Sequence, residues 1–195
     1  MKSYIDKIEA LNACTPAIEW LREKNYATLQ EAWDNCERGD WMLWLYGRCT
    51  PSAPWSEERK PIVLAACACA RLTLPSFEAR FPADSRPRHC IEVTEAWCRG
   101  EASREQIVSA RNATDAATDA YATDAYATDA YADAAYADAA STAAAYATAA
   151  AYADAAYAAA AYAYAAAAAY AATAATDREE CALIVRSMLP CPVLA

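Results

Sequence analysis

The chain has 195 residues, 57% of them apolar, with 26 acidic groups against 17 basic ones and a net charge of -9. That length fits one domain, or one domain with an appendage. Only three Gly and one His are present, and no Walker A loop, G-x-G-x-x-G turn or H-E-x-x-H helix occurs, which argues against phosphate-cradling loops and zincin chemistry.

The first 112 residues read as successive short helices. Tyr4, Ile5, Ile8 and Leu11 recur at helical spacing. Thr15-Pro16 reads as an N-cap followed by Pro at the first helical position. Thr28-Leu29-Gln30-Glu31 has the pattern of a capping box and predicts a helix running to Glu37 or Arg38, with Gly39 as its C-terminal stop. Asp40 is then expected to cap Trp41-Met42-Leu43-Trp44-Leu45-Tyr46, a run apolar on every side and therefore central to the core. Cys49 to Trp55 reads as a loop, and Ser56 opens the next helix with Pro61 near its first turn. Pro75 and Pro82 are expected to bound a short helix holding Phe77 and Phe81. Asp84 or Ser85 caps the following helix, with Pro87 in its first turn and Gly100 at its end. Ser103-Arg104-Glu105-Gln106 is a second capping box, and its helix leads into a repeat.

From Ala113 to Ala175 the chain is almost entirely Ala, Tyr, Thr and Asp. Tyr121, Tyr126, Tyr131 and Tyr136 mark a five-residue period. Ala is the best helix former and no Gly or Pro interrupts the run, so helix is the expectation. A single helix of that length would reach ~95 Å at 1.5 Å per residue, so the run is expected to fold back as two or three helices, with Ser141-Thr142 as the best break. Five residues advance about 140° beyond one turn, so successive Tyr walk around the helix. The alternative is a pentad β-solenoid, which would have to stack thin Ala interiors with poor strand propensity. The expected fold is all-α: a helical core over 1–112, repeat helices over 113–176 folded back on it, and a C-terminal segment over 177–195.

Between Asn112 and Thr176 there are seven Asp and no Lys or Arg. Such a surface disfavours nucleic acid and anionic membrane, and it steers basic partners inward. The candidate partner-binding residues are Asp115, Asp119, Tyr121, Asp124, Tyr126, Asp129, Tyr131 and Asp133. Tyr offers large contact area at low entropy cost, and Asp offers steering. Arg86 and Arg88, near a helix start, and Arg38 are candidate anion-binding groups. Arg86 and Arg88 equally suit pairing with Asp84, Glu92 or the acidic repeat. The nine Cys include no C-x-x-C pair, and no secretory leader is read before them, so reduced thiols, a cytoplasmic setting and no metal or cofactor are expected. His89, the single His, stands beside no nucleophile motif, so no catalytic residue is assigned.

The run Asp84-Ser85-Arg86-Pro87-Arg88, continuing through Ile91-Glu92, Ala96-Trp97 and Gly100-Glu101 into an Ala-rich segment, resembles a group of bacterial immunity proteins. The likeness covers about residues 60–175 and implies an all-α partner of a polymorphic toxin. The relatives carry mixed charges where this chain carries Tyr-Asp pentads. The block from Ala32 to Trp41 resembles a segment of uncharacterised bacterial and phage proteins.

The leading expectation is a non-catalytic binding protein that neutralises a basic protein partner by occlusion. One alternative is a phage-type protein that sequesters a nucleotide signal through Arg86, Arg88 and the Trp-rich corner. Another is a structural or ice-contacting surface, which Thr114, Thr118, Thr123 and Thr128 oppose because they do not align on one helix face. Self-association through the Ala/Tyr faces is a further expectation.

Overall fold

The computed structural model describes residues 3–50, 53, 55–114 and 175–194. Within them the chain is all-α, with no strand among the described residues. The helices are α1 (Tyr4–Ala10), α2 (Thr15–Lys24), α3 (Leu29–Asp34), α4 (Gly39–Cys49), α5 (Lys60–Arg80), α6 (Arg86–Cys98), α7 (104–114) and α8 (Ala175–Met188). A 3-10 turn, Glu57–Arg59, leads directly into α5. The residues of the pentad repeat, and with them the solenoid alternative and the Ser141-Thr142 break, lie outside the described residues.

Local signals set most of the helix ends. Ser103 and Gln106 form a complete capping box: the Ser103 amide donates to Gln106 Oε1 at 2.7 Å and the Gln106 amide to Ser103 Oγ at 3.3 Å. Ser3 and Asp6 form another at α1, a box the sequence reading did not single out. At α3 the box is altered. Thr28 Oγ accepts from the Glu31 amide, but the Glu31 carboxylate reaches one residue further back, to the Ala27 amide. Gly100 ends α6 in the left-handed region at φ +79°. Its amide donates to the Trp97 carbonyl and the Glu101 amide to that of Ala96, the paired bonds of a Schellman motif.

Three expectations need correction. The first helical residue of α2 is Thr15, so Cys14 takes the cap position and Pro16 lies in the first turn. Pro75 does not break α5, which runs on through it to Arg80. Packing along the length of this helix outweighs the missing amide, because the buried residues Val63, Cys67 and Leu74 all fix its course. Gly39 is not a helix stop. Helix α3 ends at Asp34, and Gly39 is the first residue of α4, with Asp40 beside it in the first turn rather than at the cap.

The reason for a glycine at position 39 is steric. A Cβ there would stand 2.5 Å from Cys181 Sγ, 2.7 Å from the Cys181 carbonyl carbon and 2.8 Å from the Ala182 amide nitrogen. The start of α4 therefore lies directly against the backbone of α8. Helix α8 packs on both α4 and α5, while α5 also packs on α6. The small residues of α5 serve two cores at once. Ile62, Ala65 and Ala66 face Met42, Leu43, Ala182, Val185 and Leu189. Val63, Cys67, Ala70 and Leu74 face Ile91, Trp97 and Ile107. A helix buried on two sides needs apolar residues nearly all round, which the run from Ile62 to Ala70 supplies. A third cluster, around Ile8, Ile18, Leu21, Ala32 and Leu45, joins α1 to α4.

Two polar devices fix the packing. From α8, Arg186 Nη1 donates to the Cys36 carbonyl at 2.5 Å and to that of Trp33 at 3.5 Å, satisfying acceptors at the end of α3. Across the α5–α6 contact, Arg71 holds Glu95 through both oxygens at 2.8 and 2.7 Å, and Arg88 holds Glu78 through both at 2.5 Å. These forked pairs flank the buried contact of Leu74 and Ile91. The Arg88 guanidinium holds the Glu78 carboxyl below the ordinary carboxylate range, and Glu95 in turn raises Arg71.

Gly39→Ala is expected to lower the melting temperature markedly, since the atoms in the way are backbone and overpacking costs about 1–3 kcal/mol. Gly47→Ala is the control: its Cβ would meet only the end of the Ile62 side chain, at 3.2 Å, so the shift in a thermal melt should be small. Arg186→Ala is expected to destabilise by about 2 kcal/mol in a urea titration, because it strips two carbonyls of a charged donor. Glu78 ionises more readily folded than unfolded, so its contribution is present above the ordinary carboxylate range and lost as pH falls through its lowered folded value. Glu78→Gln should therefore melt below wild type near neutral pH, and the gap should narrow in melts as pH falls below the ordinary carboxylate range.

Candidate functional site

The cationic residues singled out in the sequence fall into two groups. Arg86 and Arg88 stand in the first turn of α6. Arg86 forks onto Asp84 at 2.9 and 2.7 Å, and Asp84 Oδ1 also accepts from the Arg86 amide at 3.0 Å. Arg88 turns instead to Glu78 of α5, not to Glu92. Both forks thus already hold carboxylates, and an incoming anion would compete with them. His89 lies in the same turn, its amide donating to the Ser85 carbonyl.

Arg38 belongs to the other group. It grips Asp40 through both carboxylate oxygens, at 2.8 and 2.5 Å, and its guanidinium lies 4.4 Å above the Trp41 ring. Trp41 meets the edge of Trp20 at 5.9 Å, and Trp20 meets Tyr26 at 5.7 Å. This aromatic corner borders an apolar cavity of about 50 Å³ among α1 to α4. Its walls include Ile8, Ala17, Trp20, Trp33, Trp41, Trp44 and Leu45. Neither Arg86 nor Arg88 lines it. Ligand pockets for drug-sized molecules run to ~300 Å³ or more, so this cavity suits one small apolar side chain and not a nucleotide. Burial pushes the Cys36 thiol in its wall up to about 11.

A second aromatic group, which the sequence reading passed over, seats the loop before α5. Trp55 stands at φ +64° and meets Trp97 edge-on at 5.4 Å. Lys60 lies 5.6 Å over Trp97, and Arg104 lies 5.1 Å over Trp55. The only forewarning in the sequence is a Trp after two prolines.

The proposed partner-facing residues Asp115, Asp119, Tyr121, Asp124, Tyr126, Asp129, Tyr131 and Asp133 lie outside the described residues. The described chain stops one residue before them, at Thr114, and that residue is firmly seated. It is 1% exposed, and its hydroxyl donates to the Ala110 carbonyl at 3.0 Å and contacts the Arg86 carbonyl at 3.3 Å. The described part of α7 therefore ends beside the first turn of α6.

Among the described residues no group of three or more His, Cys, Asp or Glu is placed to hold a metal ion, and none of the nine cysteines there is in a disulfide. No described helix is long and apolar enough to cross a membrane.

The model of the family described as "Imm-5 like putative immunity protein" matches residues 53–187. The match begins in the loop before α5 and ends within α8, so it takes in the α5–α6–α7 core and the whole repeat. Comparison with curated proteins and with solved structures found no match. The matched region is well over half of the chain and takes in the Arg-Pro-Arg start of α6, and the chain belongs to the Imm-5 like immunity protein family.

Proposed function

We propose that this chain neutralises a toxin by binding it and covering its working surface, without chemistry of its own. Family membership carries this reading, because an immunity protein acts on a toxin partner. The chain's own contribution is charge. Seven Asp stand between residues 112 and 176 with no Lys or Arg among them, so that segment meets a basic surface. Ten Tyr in the same segment supply contact area. The repeat is flanked by helices seated in the core, α7 through Thr114 and α8 through Ala182, Val185 and Leu189, which gives the acidic segment a rigid base.

Aromatic and acidic residues divide the work of such a surface. Asp raises the rate of encounter, and Tyr holds the complex once formed. Salt therefore weakens the first step more than the second. A groove that binds a polyanionic substrate is basic, so an acidic segment laid along it would exclude that substrate.

The test is capture of partners from a bacterial lysate by the tagged chain at low salt. A basic protein co-eluting in equal amount and released by salt is the expected result. Changing Asp119, Asp124 and Asp129 together to Asn should slow its association roughly tenfold at low salt and flatten the salt dependence. Association unaffected by that triple change, or a small anionic molecule captured with no protein, would sink the proposal.

A further inference from the structure

Two of the nine thiols meet at the junction of α4, α5 and α8. Cys69, on α5, donates from Sγ to the Cys181 carbonyl of α8 at 3.7 Å. Cys181 Sγ lies against the Gly39 backbone, close enough that a Cβ there would stand 2.5 Å away. Both side chains border the cluster of Met42, Ala66 and Ala182, and both are half-buried rather than sealed. The Cys181 side chain beside it, together with burial, pushes the Cys69 thiol far up. Cys36, Cys67 and Cys90 are buried, and Cys14 is exposed at the start of α2.

We propose that Cys69 and Cys181 are an oxidisable pair whose disulfide fastens α8 to α5. The oxidant is a low-molecular-weight disulfide. The Cys69 thiol is engaged with the Cys181 carbonyl, so the Cys181 thiolate attacks one sulfur of the oxidant first and expels the other as a thiol. The Cys69 thiolate then attacks Cys181 Sγ and expels the second small thiol. One S–S bond forms in the protein and one breaks in the oxidant. The protein loses two electrons and two protons, and the oxidant gains them.

Linking α5 to α8 closes a loop spanning 112 positions, which contains α6, α7 and the whole acidic repeat. Loop closure on that scale removes much unfolded-state entropy. It also fastens α8, which follows the repeat, to α5 in the core while the bond lasts.

The experiment incubates the reduced, folded full chain with oxidised glutathione at pH about 8, where thiolates begin to form. Intact mass, a peptide map without reductant and a thermal melt are the readouts. The expected result is a chain lighter by about 2 Da, a cross-linked peptide joining Cys69 to Cys181, and a melting temperature higher by about 10 °C. Reductant should restore the starting melt. Cys69→Ser should abolish both the cross-link and the rise. If that variant does not fold, the wild-type peptide map decides alone. A map in which Cys69 and Cys181 both stay alkylatable, or in which either joins another cysteine instead, overturns the proposal.

Discussion

The described structure depends on how closely α8 can approach the start of α4. That approach sets backbone on backbone, with the Cys181 sulfur beside it and no room for a methyl group, and it exists because residue 39 is glycine. Everything around it follows from the short distance. Ala182 is fully buried, Val185 and Leu189 reach the core between α4 and α5, and Arg186 reaches the carbonyls at the end of α3. A larger residue at 39 would push α8 outward and loosen all three. The last helix of the chain is thus part of the central packing, although about sixty residues of repeat separate it from α7.

Legibility in the sequence divides along a physical line. Signals that act within a few residues were readable: the Ser103 box, the Gly100 stop, the apolar run from Trp41 to Tyr46 and the all-α class. Signals that act across the fold were not. Gly39 looks like a stop because glycine ends many helices, and only the arrival of α8 shows otherwise. Pro75 looks like a boundary because proline costs a hydrogen bond, and only packing on both sides of α5 shows why the helix continues. The candidate site was legible in a similar measure. Arg38, Arg86 and Arg88 could be picked out as cations, and the Arg86–Asp84 pair lies two residues apart. The Arg88–Glu78 pair joins two helices and could not be read before their register was known.

The chain separates scaffold from surface in its composition. Leu, Ile, Val, Met, Trp and Phe stand only before residue 112 and after 180, where three cores need volume. The segment between is written almost entirely in Ala, Tyr, Thr and Asp. Family membership covers that segment as well as α5 to α8, while α1 to α4 precede the matched region. Yet α4 supplies Gly39, Met42 and Leu43 to the packing of α8. The first helices are therefore structural partners of the family region and not an independent addition.

The forked pairs between α5 and α6 carry information beyond their contribution to stability. Arg71 and Glu78 lie seven residues apart on one helix, and Arg88 and Glu95 lie seven apart on the other. The chain direction reverses between them, so each Arg meets a carboxylate. Sliding α6 by one such step in one direction would set Arg71 against Arg88. Sliding it in the other would set Glu78 against Glu95. Either error brings like charges together while leaving an apolar seam that could still close. The two rungs act as a key with a single seating, fixing the alignment of a hairpin whose small, similar core residues would otherwise accept several.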